Sequence, residues 1–133
     1  MESRMKNALG LNMWRVCLLV VVMVFSACEG TSNAEPPLPS GDYAFMYRFE
    51  EHPGIPSIEL SAQIRGRHIV LINNNRTDVF PKGVIEEGTL MWHAGSGQWI
   101  IVTDPDDADA LNVGACSDGP SVVDLQRRIY WTC

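Results

Sequence analysis

The chain has 133 residues, 46% of them hydrophobic, and a formal net charge of −6 at pH 7. This length suits one domain with a single modest core beside a targeting segment. An acidic surface repels the phosphates of nucleic acids and of anionic lipids, so no nucleic-acid partner is expected.

The N-terminus has the organisation of an export signal. An apolar run over residues 16–25 is followed by the small residues Ser26 and Ala27 and then by Cys28. A membrane-spanning helix needs about 20 apolar residues, so this run of ten is too short for a permanent anchor. Small side chains after the run are what a signal peptidase requires. The basic residues that precede the run are Arg4, Lys6 and Arg15.

The motif Ser26-Ala27-Cys28 behind this run resembles the signal of bacterial lipoproteins. In that family the chain is cut before the cysteine, whose sulfur is diacylated, which implies a signal peptide over residues 1–27 and lipidation of Cys28. Two or three acyl chains, at ~0.8 kcal/mol per buried methylene, hold such a protein on the membrane. Glu29 stands where an Asp would favour the inner membrane, so the resemblance implies the outer membrane of the cell envelope, facing the periplasm. An ordinary secretory signal with the same cleavage position is the alternative.

The segment behind the signal has the composition of a tether. Residues 28–41 are rich in Gly, Ser, Thr, Asn and Pro, and Leu38 is their only large apolar residue. This predicts an extended, lipidated tether, with the folded domain over residues 42–133. The signal contains three basic and one acidic residue, so its removal leaves 7 Lys and Arg against 15 Asp and Glu, a formal charge of −8.

Two cysteines remain for the folded domain. Cys17 leaves with the signal and Cys28 is the predicted lipid attachment, which leaves Cys116 and Cys133. An even pair in an exported protein predicts a disulfide, and closing this loop would stabilise the fold by ~3 kcal/mol in the chain-entropy model. A redox-active or metal-binding pair is the alternative, although the spacing is unlike Cys-x-x-Cys.

Short strands account for the first half of the domain. Residues 42–49 are rich in aromatic and apolar side chains, and residues 57–64 alternate strictly between apolar and polar. Both patterns predict strands. We expect Arg65 and Gly66 to form the hairpin turn to the next strand, with Ile64 opposite Arg67.

A second hairpin is predicted around residues 94–97, which read Ala-Gly-Ser-Gly between two apolar arms. In this register Trp92 faces Trp99 and Leu90 faces Ile101.

The last third of the chain predicts one helix and two more strands. Asp104 followed by Pro105 and two acidic residues is a helix start, and the helix should run toward Leu111. Residues 122–125 and 129–133 predict strands. The expected fold is therefore all-β and mainly antiparallel, a small barrel or sandwich of about six strands with one short helix.

The sequence offers no metal or cofactor motif. An EF-hand loop needs oxygen ligands at positions one, three and five. The aspartates after Thr103 do not fit it, because Ala108 occupies position five. No His-x-His or His-Glu-x-x-His spacing joins the histidines, so we expect neither a metal nor a cofactor. The histidines are His52, His68 and His93.

The aromatic residues of the second hairpin are the best candidates for a binding surface. Trp92, His93, Ser96 and Trp99 lie together at its closed end. The tryptophans are either core packing or, with Trp131, an exposed surface that binds a glycan, a peptide or another envelope protein.

No nucleophile–base pair, carboxylate dyad or metal set is visible in the sequence, so the expected function is that of a non-enzymatic envelope lipoprotein that binds a partner. The turn Ser96-Gly97-Gln98-Trp99 distantly resembles the Ser-Gly-x-x-Tyr loop of membrane-bound inhibitors of c-type lysozyme, which would imply a cationic lysozyme as the partner. A ligand carrier or an enzyme with His93, Ser96 and Asp124 in its site is the other alternative.

Overall fold

The computed structural model describes residues 34–75 and 81–133; the predicted signal peptide and Cys28 lie outside these ranges. Within them the chain forms one short 3-10 helix, Pro105–Asp109, and seven strands. The strands are β1 (Gly41–Phe49), β2 (Ile58–Arg65), β3 (His68–Asn73), β4 (Gly83–His93), β5 (Gln98–Val102), β6 (Ser121–Asp124) and β7 (Ile129–Thr132).

The seven strands close into a barrel in chain order. Each strand pairs antiparallel with the next, and the barrel is closed by a parallel pairing of β1 with β7 that places Tyr47 opposite Tyr130. The all-β class and the mainly antiparallel barrel are confirmed, with one strand more than expected. Closure pairs the strand edges that an open sheet would expose.

Alternate residues of the strands fill the interior. In β2 the apolar residues Leu60, Ala62 and Ile64 are buried and the polar residues between them are not, as the alternation predicts. The same face of the neighbouring strands contributes the other fully buried side chains. These include Phe45, Ile69, Leu71, Leu90, Ile101 and Val123.

The first hairpin differs from the prediction in register. Arg65 lies opposite His68 and Ile64 opposite Ile69, so the turn consists of Gly66 and Arg67 rather than Arg65 and Gly66. The predicted and observed registers differ by two residues, which leaves the same side chains facing the core. Turn geometry decides between them, because the first turn position has a φ of 61° and is occupied by Gly66.

The second hairpin agrees with the prediction in turn and register, whereas β4 begins at Gly83, six residues before the predicted arm over residues 89–93. Trp92 lies opposite Trp99 and Leu90 opposite Ile101 across β4 and β5. The turn over residues 94–97 is exposed throughout.

The predicted helix is shorter than expected. Asp104 caps it by accepting a hydrogen bond from the Asp106 N–H at 3.1 Å. Asp107 completes the cap, and the hydrogen bonds that its carboxylate accepts from the N–H groups of Asp104 and Thr103 lower its pKa. The helix ends at Asp109, before Leu111, because none of its residues is buried and no apolar stripe rewards a longer helix.

In the described part of the chain, no helix has the length and apolar character needed to cross a bilayer.

The turns of an antiparallel meander alternate between the two ends of the barrel. The turns after β2, β4 and β6 therefore lie at the end where β1 begins, which we call the tether end. Residues 34–40 lie against this end. The Arg67 guanidinium donates to the Ala34 carbonyl at 2.6 Å, the Gly66 N–H to Ser40 Oγ at 2.8 Å, and the Tyr43 hydroxyl to the Pro39 carbonyl at 2.7 Å.

The disulfide between Cys116 and Cys133 is present, with the two Cα atoms 4.9 Å apart. It links the end of the chain to the long connection between β5 and β6 and so holds β7 in place.

Candidate binding site

Three tryptophans line one groove of the barrel. By strand alternation Trp92 and Trp99 share the face of the buried Leu90 and Ile101, whereas Trp131 lies on the opposite face of β7 from the buried Tyr130. Trp92 and Trp99 come from the second hairpin, and Trp131 comes from β7, which the β6 strand separates from that hairpin. They line an open groove of about 260 Å³. We call it the tryptophan groove; its other side chains used below are Gln98, Asp124 and Gln126.

The two hairpin tryptophans form an edge-to-face pair. Their ring centroids are 5.7 Å apart and their planes are inclined by 66°. Both rings are half-buried, and Trp99 also packs against the barrel core. Trp99 therefore serves the packing of the barrel, as the first sequence interpretation expects, and both residues also line the groove. Such a pair fixes the ring orientations before any ligand arrives.

The polar side chains of the groove are amides and one carboxylate. Gln98 and Gln126 are exposed, whereas Asp124 is half-buried. Asp124 accepts a hydrogen bond from the Arg127 N–H at 2.8 Å, and the Arg127 guanidinium lies 3.8 Å from its second oxygen. The carboxylate is thus held in one orientation at the edge of the groove.

His93 and Ser96, which the sequence grouped with the tryptophans, face a different neighbour. His93 Nε2 lies 2.8 Å from the Ala110 carbonyl, and since a carbonyl only accepts, Nε2 carries the hydrogen. Nδ1 then accepts, with Ser96 Oγ at 2.8 Å and the Ser96 N–H at 3.1 Å. Both ring nitrogens therefore clamp the turn over residues 94–97 to the long connection between β5 and β6.

The structure brings together two of the three residues of the alternative enzyme site. Ser96 Oγ and His93 Nδ1 are at the distance of a nucleophile and its base. Asp124 does not orient that histidine, because the Ala110 carbonyl takes the second ring nitrogen and Asp124 binds the Arg127 N–H instead.

A partly buried polar cluster that the sequence did not reveal joins β4, β6 and β7. The Tyr130 hydroxyl donates to Glu86 Oε2 at 2.5 Å and lies 3.3 Å from Ser121 Oγ. Burial raises the pKa of the Glu86 carboxyl, and burial together with the Glu86 charge raises the pKa of Tyr130. Glu86 sits beside Glu87 in the sequence, and only the strand register distinguishes the buried acid from its neighbour.

One group of potential metal ligands occurs among the residues described. The ligand atoms of Glu51, Cys116 and Cys133 lie within 4.8 Å of one another. The two sulfurs are bonded to each other, so neither is a thiolate available to a metal.

Comparison of the chain with protein families, with curated proteins and with solved structures finds no match. The groove is therefore interpreted from its own residues.

Proposed function

We propose that this protein is a bacterial envelope lipoprotein, anchored through Cys28, whose barrel binds a glycan in the tryptophan groove without catalysing a reaction. The export signal and the lipoprotein motif support the location. The disulfide supports it independently, because such bonds persist in oxidising compartments such as the periplasm.

The presence of three tryptophans, two amides and a carboxylate in the lining of one groove is the observation that carries the glycan proposal. A sugar ring has an apolar C–H face that packs on an aromatic ring and a rim of hydroxyls that needs hydrogen-bond partners. Gln98 and Gln126 offer both donors and acceptors, and Asp124 offers acceptors. A groove of about 260 Å³ is slightly below the range of drug-sized sites, which suits a short stretch of glycan.

The remaining surface gives less support to an apolar protein interface. The large hydrophobic residues that are exposed in the described ranges lie on separate segments. They are Ile55, Val84 and Leu111. None of them borders the groove, whereas docking surfaces for proteins are usually contiguous apolar patches.

The absence of catalysis is proposed from the roles of the candidate residues. His93 and Ser96 already hold two segments together through both ring nitrogens. Asp124 lines the groove but is hydrogen-bonded to Arg127. A substrate in the groove would meet binding groups rather than a base.

Titration of the full-length protein with triacetylchitotriose and with soluble peptidoglycan fragments, followed by tryptophan fluorescence, tests the proposal. We expect saturable binding that Trp131→Ala weakens about tenfold or more, because exposed aromatic platforms dominate such sites. Val84→Ala, on an exposed residue outside the groove, is the matched control and should bind like the wild type.

Unchanged fluorescence with every glycan probe would refute the glycan proposal. The same titration with c-type lysozyme addresses the alternative partner. The alternative, a lysozyme inhibitor, would be favoured if lysozyme bound the wild type and Trp131→Ala but not variants changed at Ser96 or Gly97.

A further inference from the structure

Charge is distributed unevenly along the barrel axis. The turns over residues 65–67 and 125–128 carry Arg65, Arg67, Arg127 and Arg128, which are four of the six Arg and Lys residues in the described ranges. Both turns lie at the tether end. The carboxylates on these turns, their flanking residues and the entry segment are Glu35, Asp42 and Asp124. Asp109 also lies near the tether end, because His93 binds the carbonyl of the adjacent Ala110, and the nine other described carboxylates stand against Arg48 and Lys82 elsewhere.

These arginines are held in place by hydrogen bonds and ion pairs that use only some of their N–H donors. Arg65 donates to the Gly41 and Ile64 carbonyls and pairs with Asp42 at 3.0 Å, yet 57% of its side chain is exposed. The Arg127 side chain is 77% exposed. A guanidinium has five N–H donors, so each of them keeps donors directed to solvent.

The other two arginines are fixed by the barrel and the entry segment. The Arg128 guanidinium lies over the Tyr43 ring, 5.6 Å from its centroid, and Arg67 binds the Ala34 carbonyl. The positive groups are thereby kept at the end of the barrel where the chain enters.

Covalent reach ties this end to the bilayer if Cys28 is lipidated. The chain from the predicted lipidation site, Cys28, to the hydrogen-bonded Ala34 is six residues long when Cys28 is counted. At 3.3–3.6 Å per residue it spans at most about 22 Å. The arginine turns are therefore held close to the lipid head groups, while the distal end, with most of the carboxylates, is not.

We propose that the tether end of the barrel is a membrane-docking surface, on which the arginines of the two turns bind the phosphates of anionic phospholipids. The proposal rests on the lipidation of Cys28 in the proposed function. Trp92 and Trp99, at the closed end of the second hairpin, then lie near the head groups, the region of a bilayer that tryptophan prefers. The acidic distal end is repelled by the same lipids, which favours this single orientation.

Hydrogen-exchange mass spectrometry on the full-length protein purified from membranes tests the orientation. Nanodiscs of phosphatidylcholine are compared with nanodiscs of an equal mixture of phosphatidylcholine and phosphatidylglycerol. We expect severalfold slower exchange at residues 65–67, 94–97 and 125–128 in the anionic discs. Residues 53–57, at the distal end, should exchange equally in both.

Substitutions at the two ends provide the matched comparison. Arg65→Ser with Arg127→Ser should abolish the extra protection, whereas Arg48→Ser, outside the arginine turns, should leave it intact. Intact mass spectrometry separates the two proposals. A chain without acyl groups overturns the anchoring and the docking together. An acylated chain whose turns exchange alike in both lipids, or whose distal end is the protected one, overturns the docking alone.

Discussion

Glu86 is a half-buried acid opposite the core residue Leu71 of the barrel. Its raised pKa means that the folded protein keeps the carboxyl proton to a higher pH than the unfolded chain does. Between the ordinary pKa and the raised one, the unfolded state therefore loses this proton first. The free energy of unfolding consequently falls as the pH rises through this interval and is constant with respect to this group above it.

We predict that Glu86→Gln removes this pH dependence and makes the protein more stable at neutral pH. The glutamine oxygen still accepts from the Tyr130 hydroxyl, and no charge has to be buried. Thermal unfolding followed by circular dichroism, from below the ordinary pKa of a carboxyl up to neutral pH, measures the effect. Glu59→Gln, an exposed change on β2, is the control and should keep the wild-type slope. An unchanged slope in Glu86→Gln would contradict the prediction.

Single hairpins show how far local sequence determines an element. The second hairpin was predictable in turn and register, because its four-residue turn and opposed tryptophans admit one good pairing, but the first six residues of β4 were not predicted as a strand. The first was predictable in its strands but not in its register. A shift of two residues keeps Leu60, Ala62 and Ile64 facing the core, so the apolar pattern does not distinguish the two pairings. The positive φ at Gly66, which decides between the two pairings, is visible only in the folded turn.

That turn supports a prediction about two glycines. Gly66→Ala should destabilise the protein by about 1 kcal/mol, because an L side chain is strained at a φ of 61° although nothing lies within 4 Å of the added Cβ. Gly54→Ala is the matched control, since it also has open space but no positive φ, and should be nearly neutral. Urea unfolding of both variants measures the difference. Equal stabilities would show that the turn adapts without strain.

Closure of the barrel depends on pairing between its first and last strands, β1 and β7. The antiparallel meander was predictable from the spacing of strands and turns, but the parallel closure of β1 with β7 was not. That pairing joins residues about as far apart as the domain allows, so no local pattern encodes it. The tryptophan groove was only partly predictable for a different reason. Trp131 comes to the same groove as Trp92 and Trp99 through the pairing of β6 with both β5 and β7, whereas His93 and Ser96 turn toward Ala110.

Charge placement is also a property of the whole molecule. The net acidity of the sequence predicts repulsion from anionic lipids, yet most of the described arginines lie at one end of the barrel. Composition gives the sum of the charges, and only the alternation of turns between the two ends gives their distribution.

The disulfide gives a prediction at this scale. Replacing Cys116 and Cys133 by serine should lower the free energy of unfolding by ~3 kcal/mol, because the bond closes a loop over a separation of 17 residues and retains β7 in the barrel. Denaturant unfolding of the double variant, against the wild type with and without reductant, measures the loss. A reduced wild type as stable as the oxidised form would contradict the prediction.

If the proposed lipidation and glycan binding hold, the hydrogen bonds of residues 34–40 to the barrel also limit how far the groove can move from the membrane. Because residues 34–40 are hydrogen-bonded to the barrel, only residues 28–33 of the predicted tether over residues 28–41 would separate the lipid from the barrel in a lipidated chain. The barrel would then stay in a thin layer along the bilayer. Confinement of this kind raises the effective concentration of the groove toward ligands in that layer. It lowers that concentration to nearly zero for ligands beyond the reach of residues 28–33.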